Sequence, residues 1–132
     1  MRPCILVVED NLVNCELLRD WLDVEGYEVW IATDLKSSYE ALGKRLPDAV
    51  LLDINLGGES GIDLVTRMRE QPDMCEIPVI AVTAHALVIE QDRILEAGCK
   101  VCLSKPVDFS LLRAQLNQWL KTARHLEPKQ PL

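Results

Sequence analysis

Five residues with side chains suited to metal and phosphoryl chemistry lie at the ends of apolar, strand-like runs in this chain of 132 residues. Glu9 and Asp10 end the first run, Asp53 ends the third, Thr83 the fourth, and Lys105 follows the fifth. In the stretch ILVVEDN, two adjacent carboxylates come directly after buried-type residues. Like charges repel, and more strongly where solvation is poor, so a positive partner is expected beside them.

Three carboxylates at one edge of a sheet form an oxygen-rich site for a hard divalent cation, and Mg²⁺ prefers such ligands. We expect Asp10 to coordinate the ion directly and Glu9 to do so through water. Asp53 is placed to act as a nucleophile toward phosphorus. The metal, Lys105 and the Thr83 hydroxyl would then hold the oxygens of the transferred phosphoryl group.

These residues require a sheet whose strands all end at the same edge. The predicted strands are 4–9, 28–32, 49–54, 78–83 and 101–104, with helix-length segments between them. Strands that are almost continuously apolar are typical of a parallel sheet covered on both faces. Five β–α units therefore predict a doubly wound α/β fold, in which ligands bind beyond the carboxyl ends of the strands.

Composition narrows the class of protein and its location. A formal net charge of -7 argues against direct nucleic-acid binding, and the short apolar runs predict neither a membrane span nor a signal peptide. Five cysteines without a framework spacing indicate a reducing cytoplasm. Cys99 and Cys102 form a C-x-x-C that follows a helix instead of preceding one, so we interpret them as small buried residues.

The order of the motifs resembles the receiver domain of two-component response regulators. The motifs are VVEDN, LLDINL, Gly61 eight residues after Asp53, VTAHA and LSKP, and the resemblance covers residues 4 to about 122. It is strongest to small single-domain regulators of the DivK type and to receivers of hybrid histidine kinases. It implies a flavodoxin-like (βα)5 fold with strand order 2-1-3-4-5, a receiver domain over residues 1–123 and a flexible tail over residues 124–132.

The resemblance also implies a function. Asp53 would accept a phosphoryl group from a histidine kinase or a histidine phosphotransfer protein with Mg²⁺ as cofactor, and the chain would signal to an unknown downstream protein. It would not be an enzyme in its own right, and it would bind neither nucleic acid nor membrane. The main-chain carbonyl of Asn55 would be a further metal ligand, and the bond between Lys105 and Pro106 would be cis.

Two positions depart from the family pattern. The family often has proline four residues after the aspartate, whereas this chain has Gly57 followed by Gly58, which predicts a more mobile loop. The family usually places an aromatic residue or histidine at the position of Cys102, and this residue moves together with Thr83. We therefore expect switching to run mainly through the loop of residues 83–87, where His85 lies near the site.

The first helix carries more apolar residues than one buried stripe needs. They are Leu12, Val13, Cys15, Leu17, Leu18, Trp21, Leu22 and Val24. Two interpretations stay open, a surface that docks a partner helix and a broad buried face.

Two other functions share parts of the pattern. A phosphatase of the haloacid dehalogenase type also uses a strand-end aspartate with magnesium, but it needs a second aspartate two residues later, where Asn55 stands. A flavodoxin-like redox protein needs a glycine- and hydroxyl-rich phosphate loop after the first strand, where the acidic EDNLVN would repel phosphate. Both are disfavoured relative to the receiver.

Overall fold

The computed structural model describes residues 2–84 and 87–124 of the chain, with side chains through residue 120. Parallel strands alternate with helices along most of this length. The strands are β1 (Cys4–Val8), β2 (Glu28–Ala32), β3 (Ala49–Asp53), β4 (Asn55–Leu56), β5 (Glu59–Ser60), β6 (Val79–Thr83) and β7 (Val101–Ser104). The helices are α1 (Leu12–Val24), α2 (Leu35–Lys44), α3 (Gly61–Arg69), α4 (Val88–Ala97) and α5 (Phe109–Arg124).

Five of these strands form one parallel sheet in the order β2-β1-β3-β6-β7. Counted without the two short strands β4 and β5, this is the predicted order 2-1-3-4-5, and the predicted fold is confirmed. In the register, Asp53 of β3 lies beside Val82 of β6, and Thr83 lies beside Ser104 of β7. The carboxyl ends of β3, β6 and β7 therefore finish at the same edge of the sheet.

The strands β4 and β5 form an antiparallel hairpin directly after Asp53, where the sequence predicted only a loop. Asn55 pairs with Ser60, and Leu56 pairs with Glu59. The two-residue turn consists of Gly57 and Gly58, with φ of 56° and 98°. Positive φ at both positions is what a tight type I′ hairpin turn requires, and glycine adopts it without steric cost.

Two layers of apolar side chains cover the sheet, one on each face. One layer joins residues of β1, β3 and β6 to Leu42 of α2, Leu64 of α3 and Ile94 of α4. The other joins residues of the same strands to Leu22 of α1 and Leu116 of α5. Burial on both faces explains why the strands are almost continuously apolar in sequence.

Side-chain caps begin several of the helices. Asn11 accepts a hydrogen bond from Asn14 N–H at the start of α1, and Asp34 forms a capping box with Ser37 at the start of α2. Asp108 Oδ1 accepts from Ser110 N–H ahead of α5. Helix α5 continues to residue 124, one residue beyond the predicted domain boundary, and residues 125–132 of the predicted tail lie outside the described residues. Within the described ranges, no helix is both long enough and apolar enough to cross a membrane.

Candidate metal and phosphorylation site

The three predicted carboxylates converge at the carboxyl edge of the sheet. Glu9 follows β1 and is 3% exposed, Asp53 ends β3 and is 4% exposed, and Asp10 is exposed beside them. One carboxylate oxygen from each lies within 4.8 Å of the others. The fold thus brings together the acidic residues that the sequence predicted to share one site.

Lys105 supplies the positive charge at the centre of this group. Its Nζ lies 2.8 Å from Asp53 Oδ2 and 3.2 Å from Glu9 Oε2. The Lys105 N–H donates to the carbonyl of Thr83, which fixes the backbone beyond β7 to the end of β6. The bond from Lys105 to Pro106 is cis, as predicted.

Burial and the neighbouring charges shift the pKa values of Glu9 and Lys105. Burial raises the pKa of Glu9 and the charge of Asp53 raises it further, while the Asn11 N–H at 3.1 Å and Lys105 oppose the shift in part. Burial by itself would lower the pKa of Lys105, but its hydrogen bond to Asp53 and the charges of Asp53 and Glu9 outweigh burial and raise it. Lys105 is therefore a stable positive partner at neutral pH, whereas Glu9 holds a proton more readily than an exposed carboxylate, mainly because it is buried.

The donor set fits a hard divalent cation. When ionised, three carboxylates beside one ammonium leave an excess of two negative charges at this edge. Mg²⁺ favours carboxylate oxygens together with water molecules as ligands, and the exposed Asp10 lies at the side of the cluster that water can reach. Asn55 lies next to them, since its N–H donates to Asp53 Oδ1 at 3.0 Å. The role of the Asn55 carbonyl as a metal ligand stays a prediction.

The two predicted switch residues lie on neighbouring strands. Thr83 is buried at the end of β6. It directly follows Val82, the residue that pairs with Asp53 of β3. Cys102 lies on β7 beside Ala81, is half-buried and packs against the apolar layer of α2, α3 and α4. His85, which the sequence placed near the site, lies outside the described residues.

The C-x-x-C cysteines lie away from the carboxylate edge. Cys99 is buried in the apolar layer, and burial raises the pKa of its thiol to about 12. Burial also raises the pKa of Cys102. Both thiols therefore stay protonated at neutral pH, which agrees with the interpretation of these residues as small core residues.

Position 61 has room only for glycine, because the backbone of Asp53 and Ile54 passes close to it. A Cβ at this position would lie 2.7 Å from the carbonyl oxygen of Asp53 and 3.0 Å from Ile54 Cα. Its own N–H donates to the Ile54 carbonyl at 2.7 Å. The glycine eight residues after Asp53, noted in the sequence as a motif position, thus allows α3 to begin directly against the aspartate strand.

An apolar groove opens beside the carboxylates, between α1 and the segment that joins β7 to α5. Its volume is about 530 Å³. Besides Glu9, Asp53 and Lys105, it is lined by Val7, Val8, Asn14, Leu17, Leu18, Leu51, Val82, Pro106, Val107 and Phe109. Val107 and Phe109 carry no signal in the sequence, because only the fold brings them to the groove beside α1.

Helix α1 presents apolar residues on both sides. Cys15, Leu18 and Leu22 are buried against the sheet. Leu12, Val13 and Leu17 are 69%, 73% and 55% exposed. The excess of apolar residues in this helix is therefore not explained by a broad buried face, since three of them border the groove or face solvent near the site.

Known proteins share both the sequence pattern and the fold. Residues 5–117 match the family model of the response regulator receiver domain. The chain is 38% identical over 126 residues to the polar-differentiation response regulator DivK of Brucella ovis, and the match covers 93% of this chain and all of that protein.

Two solved structures are similar as well. The signal receiver domain of a signal transduction histidine kinase from Syntrophus aciditrophicus has a TM-score of 0.86, is 26% identical and matches over 98% of each chain. The receiver domain of a sensor histidine kinase from Pseudomonas aeruginosa has a TM-score of 0.83, is 30% identical and covers 92% of this chain and 99% of its own. That structure has a magnesium ion coordinated in its active-site cleft. The chain belongs to the response regulator receiver domain family and has the phosphoacceptor signalling role of that family.

Proposed function

We propose that Asp53 accepts the phosphoryl group and that Glu9, Asp10, Asp53 and the Asn55 carbonyl hold Mg²⁺ for this step. The observation that carries the proposal is the contact of 2.8 Å between Lys105 Nζ and Asp53 Oδ2, within a cluster of three carboxylates. A buried aspartate with a fixed ammonium beside it, and with access to a groove, is suited to receive a phosphoryl group. The magnesium-bearing receiver of the Pseudomonas aeruginosa kinase supports the choice of metal.

In the transfer, a carboxylate oxygen of Asp53 attacks the phosphorus of a phosphohistidine. The P–N bond breaks, its electron pair returns to the imidazole nitrogen, and the imidazole leaves neutral because its other nitrogen carries a proton. Bound magnesium would neutralise charge on the phosphoryl oxygens. Lys105, and the hydroxyl of Thr83, would hold two of these oxygens, and the Asn55 N–H at 3.0 Å keeps Asp53 oriented.

The proposed role is that of a signalling domain which catalyses its own phosphorylation and slow dephosphorylation. Neither competing function gains support from the site. Asn55, at the position where a haloacid dehalogenase needs its second aspartate, contacts Asp53 through its backbone N–H. The edge after β1, where a flavodoxin would bind phosphate, carries Glu9 and Asp10.

The proposed location is the cytoplasm. All five cysteines are free thiols, which supports a reducing compartment.

The proposed phosphodonor is a histidine kinase or a histidine phosphotransfer protein that docks on the groove beside α1. Its phosphohistidine has to reach Asp53, and the apolar groove leads directly to Asp53 and Lys105. Leu17 lines this groove and is 55% exposed, so it can contact a partner without being needed for the core. An apolar helix of the donor would bury this surface.

Leu17→Glu should lower the rate of phosphotransfer from a phosphohistidine protein by about tenfold or more, because the interface would have to bury an unpaired charge. Phosphorylation by acetyl phosphate, which needs no protein docking, should keep its rate. Val24→Glu is the matched control, since Val24 lies at the far end of the same helix and is 82% exposed. Equal effects of both variants on protein-mediated transfer would contradict the docking proposal.

We also propose that switching is read mainly from residues 83–87. A phosphoryl group on Asp53 adds strong acceptor oxygens that draw Thr83 and the loop after it. Cys102 has no ring that could swing between solvent and the interior, and it already packs against the core. The remodelling should therefore be smaller around β7 than in the loop.

Beryllofluoride, which mimics the phosphoryl group, should shift the amide signals of residues 83–87 strongly and those around Cys102 weakly. Heteronuclear NMR spectra of the labelled protein with Mg²⁺ measure both regions at once. Asp53→Asn, which cannot bind the mimic, should show neither set of shifts. Changes around Cys102 as large as those in the loop would contradict this proposal. They would show that the conventional coupling through β7 does not need an aromatic residue.

A further inference from the structure

We propose that Gly57 is a positioning residue for Asp10, and that the β4–β5 hairpin thereby sets how well this carboxylate binds the metal. The inference rests on the proposed role of Asp10 as a metal ligand. Gly57 and Asp10 lie far apart in sequence, and the fold brings them close together across the site.

Gly57 leaves the space that the Asp10 carboxylate occupies. A Cβ added at Gly57 would lie 3.1 Å from Asp10 Oδ2, closer than ordinary van der Waals contact. Gly57 has φ of 56°, in the left-handed region. The neighbouring Gly58 also has positive φ, at 98°, yet a Cβ there would meet no atom within 4 Å. Only the first glycine of the turn is therefore placed against the acidic cluster.

The hairpin is anchored, so that it cannot easily move away from Asp10. Leu56 is 3% exposed and belongs to the apolar layer beneath the sheet edge. Glu59 Oε1 accepts a hydrogen bond from Leu35 N–H at the start of α2, at 3.2 Å. The Gly61 N–H donates to the Ile54 carbonyl at the base of the hairpin. Asp10, in contrast, has an exposed side chain at the surface end of the cluster, and the far end of such a side chain yields more easily than backbone.

A side chain at position 57 would therefore displace Asp10 more readily than the backbone of the hairpin. Magnesium requires nearly ideal octahedral geometry, so a small displacement of one ligand reduces its affinity. Lys105 is bound by Asp53 and Glu9, at 2.8 and 3.2 Å, so a displacement of Asp10 should leave these contacts in place. The predicted defect is thus one of metal affinity, with the acceptor aspartate and its lysine left in place.

Gly57→Ala and Gly58→Ala form a matched pair for the test. Both add one methyl group to the same turn, and both place alanine at positive φ, which costs about 1 kcal/mol or more. The backbone of Gly58, at 98°, is at least as unfavourable for alanine as that of Gly57. Thermal unfolding without Mg²⁺ establishes that both variants are folded and compares the backbone strain.

The measurement is Mg²⁺ affinity, from titration of the amide signals or from calorimetry of the full chain. Gly57→Ala should weaken Mg²⁺ binding by about tenfold, and Gly58→Ala should leave it within about twofold of the unmodified protein. Equal affinities for the two variants, whether both normal or both weakened, would overturn the inference.

Asp10→Ala distinguishes this outcome from a failure of the proposed function. If Asp10→Ala binds Mg²⁺ as tightly as the unmodified protein, Asp10 is not a ligand and both proposals about it fall. If Asp10→Ala loses affinity while Gly57→Ala does not, Asp10 is a ligand whose position does not depend on Gly57, and only the present inference is overturned.

Discussion

Asp53→Asn is expected to reduce phosphorylation by acetyl phosphate and Mg²⁺ to background, a fall of at least about a hundredfold. The amide nitrogen and oxygen of asparagine are poor nucleophiles toward phosphorus, whereas the shape of the side chain is kept. Its Oδ1 can still accept the Asn55 N–H, which in the native chain lies at 3.0 Å. The loss should therefore reflect chemistry and not a collapsed site. Radiolabel incorporation or intact mass measures the effect.

The control for this variant is Asp63→Asn. Asp63 is an exposed aspartate in the first turn of α3 and is not part of the carboxylate cluster, so the change removes the same charge without touching the cluster. It should phosphorylate at the native rate. Residual labelling of Asp53→Asn at a rate close to that of Asp63→Asn would assign the phosphoryl group to another residue.

Asp10→Ala is expected to lower Mg²⁺-dependent phosphorylation by about one to two orders of magnitude, because a direct metal ligand is lost. It should also change how the metal affects stability. Mg²⁺ that binds only the folded chain raises the temperature of unfolding, and this rise should be present in the native protein and nearly absent in the variant. Without metal the variant should be the more stable of the two, since removing Asp10 relieves its repulsion with Glu9 and Asp53.

Asp20→Ala is the matched control for that comparison. Asp20 is an exposed aspartate on α1, so the variant has the same net charge as Asp10→Ala. Its unfolding temperature should rise with Mg²⁺ as in the native protein. A normal rise for Asp10→Ala would show that Glu9, Asp53 and Asn55 hold the ion without it.

The sheet and the main site residues could be predicted because one geometric rule connects them. Parallel strands end at one edge, so residues that follow apolar runs converge there even when far apart in sequence. Lys105 illustrates this, since its contact with Asp53 follows from the strand order β3-β6-β7, in which all three strands end at one edge. The caps at Asn11, Asp34 and Asp108 depend on local sequence alone, because their hydrogen bonds lie within a few residues.

The hairpin after Asp53 could not be predicted in the same way. Its strands have two residues each, too short for a periodic pattern, and the two glycines indicated only a loop with backbone freedom. The approach of Gly57 to Asp10 depends on tertiary packing, as does the groove formed by Phe109 and α1. The apolar excess of α1 was visible in the sequence, but which residues face the groove depends on how the helix lies on the sheet.

The most direct test of the central claim is to map the modified residue in the unmodified protein. The chain is treated with acetyl phosphate, with and without Mg²⁺, reduced with borohydride to convert an aspartyl phosphate into homoserine, digested and analysed by mass spectrometry. We expect conversion at Asp53 alone, and only when Mg²⁺ is present. Conversion at another aspartate, a phosphoryl group on histidine, serine or threonine, or equal modification without Mg²⁺ would contradict it.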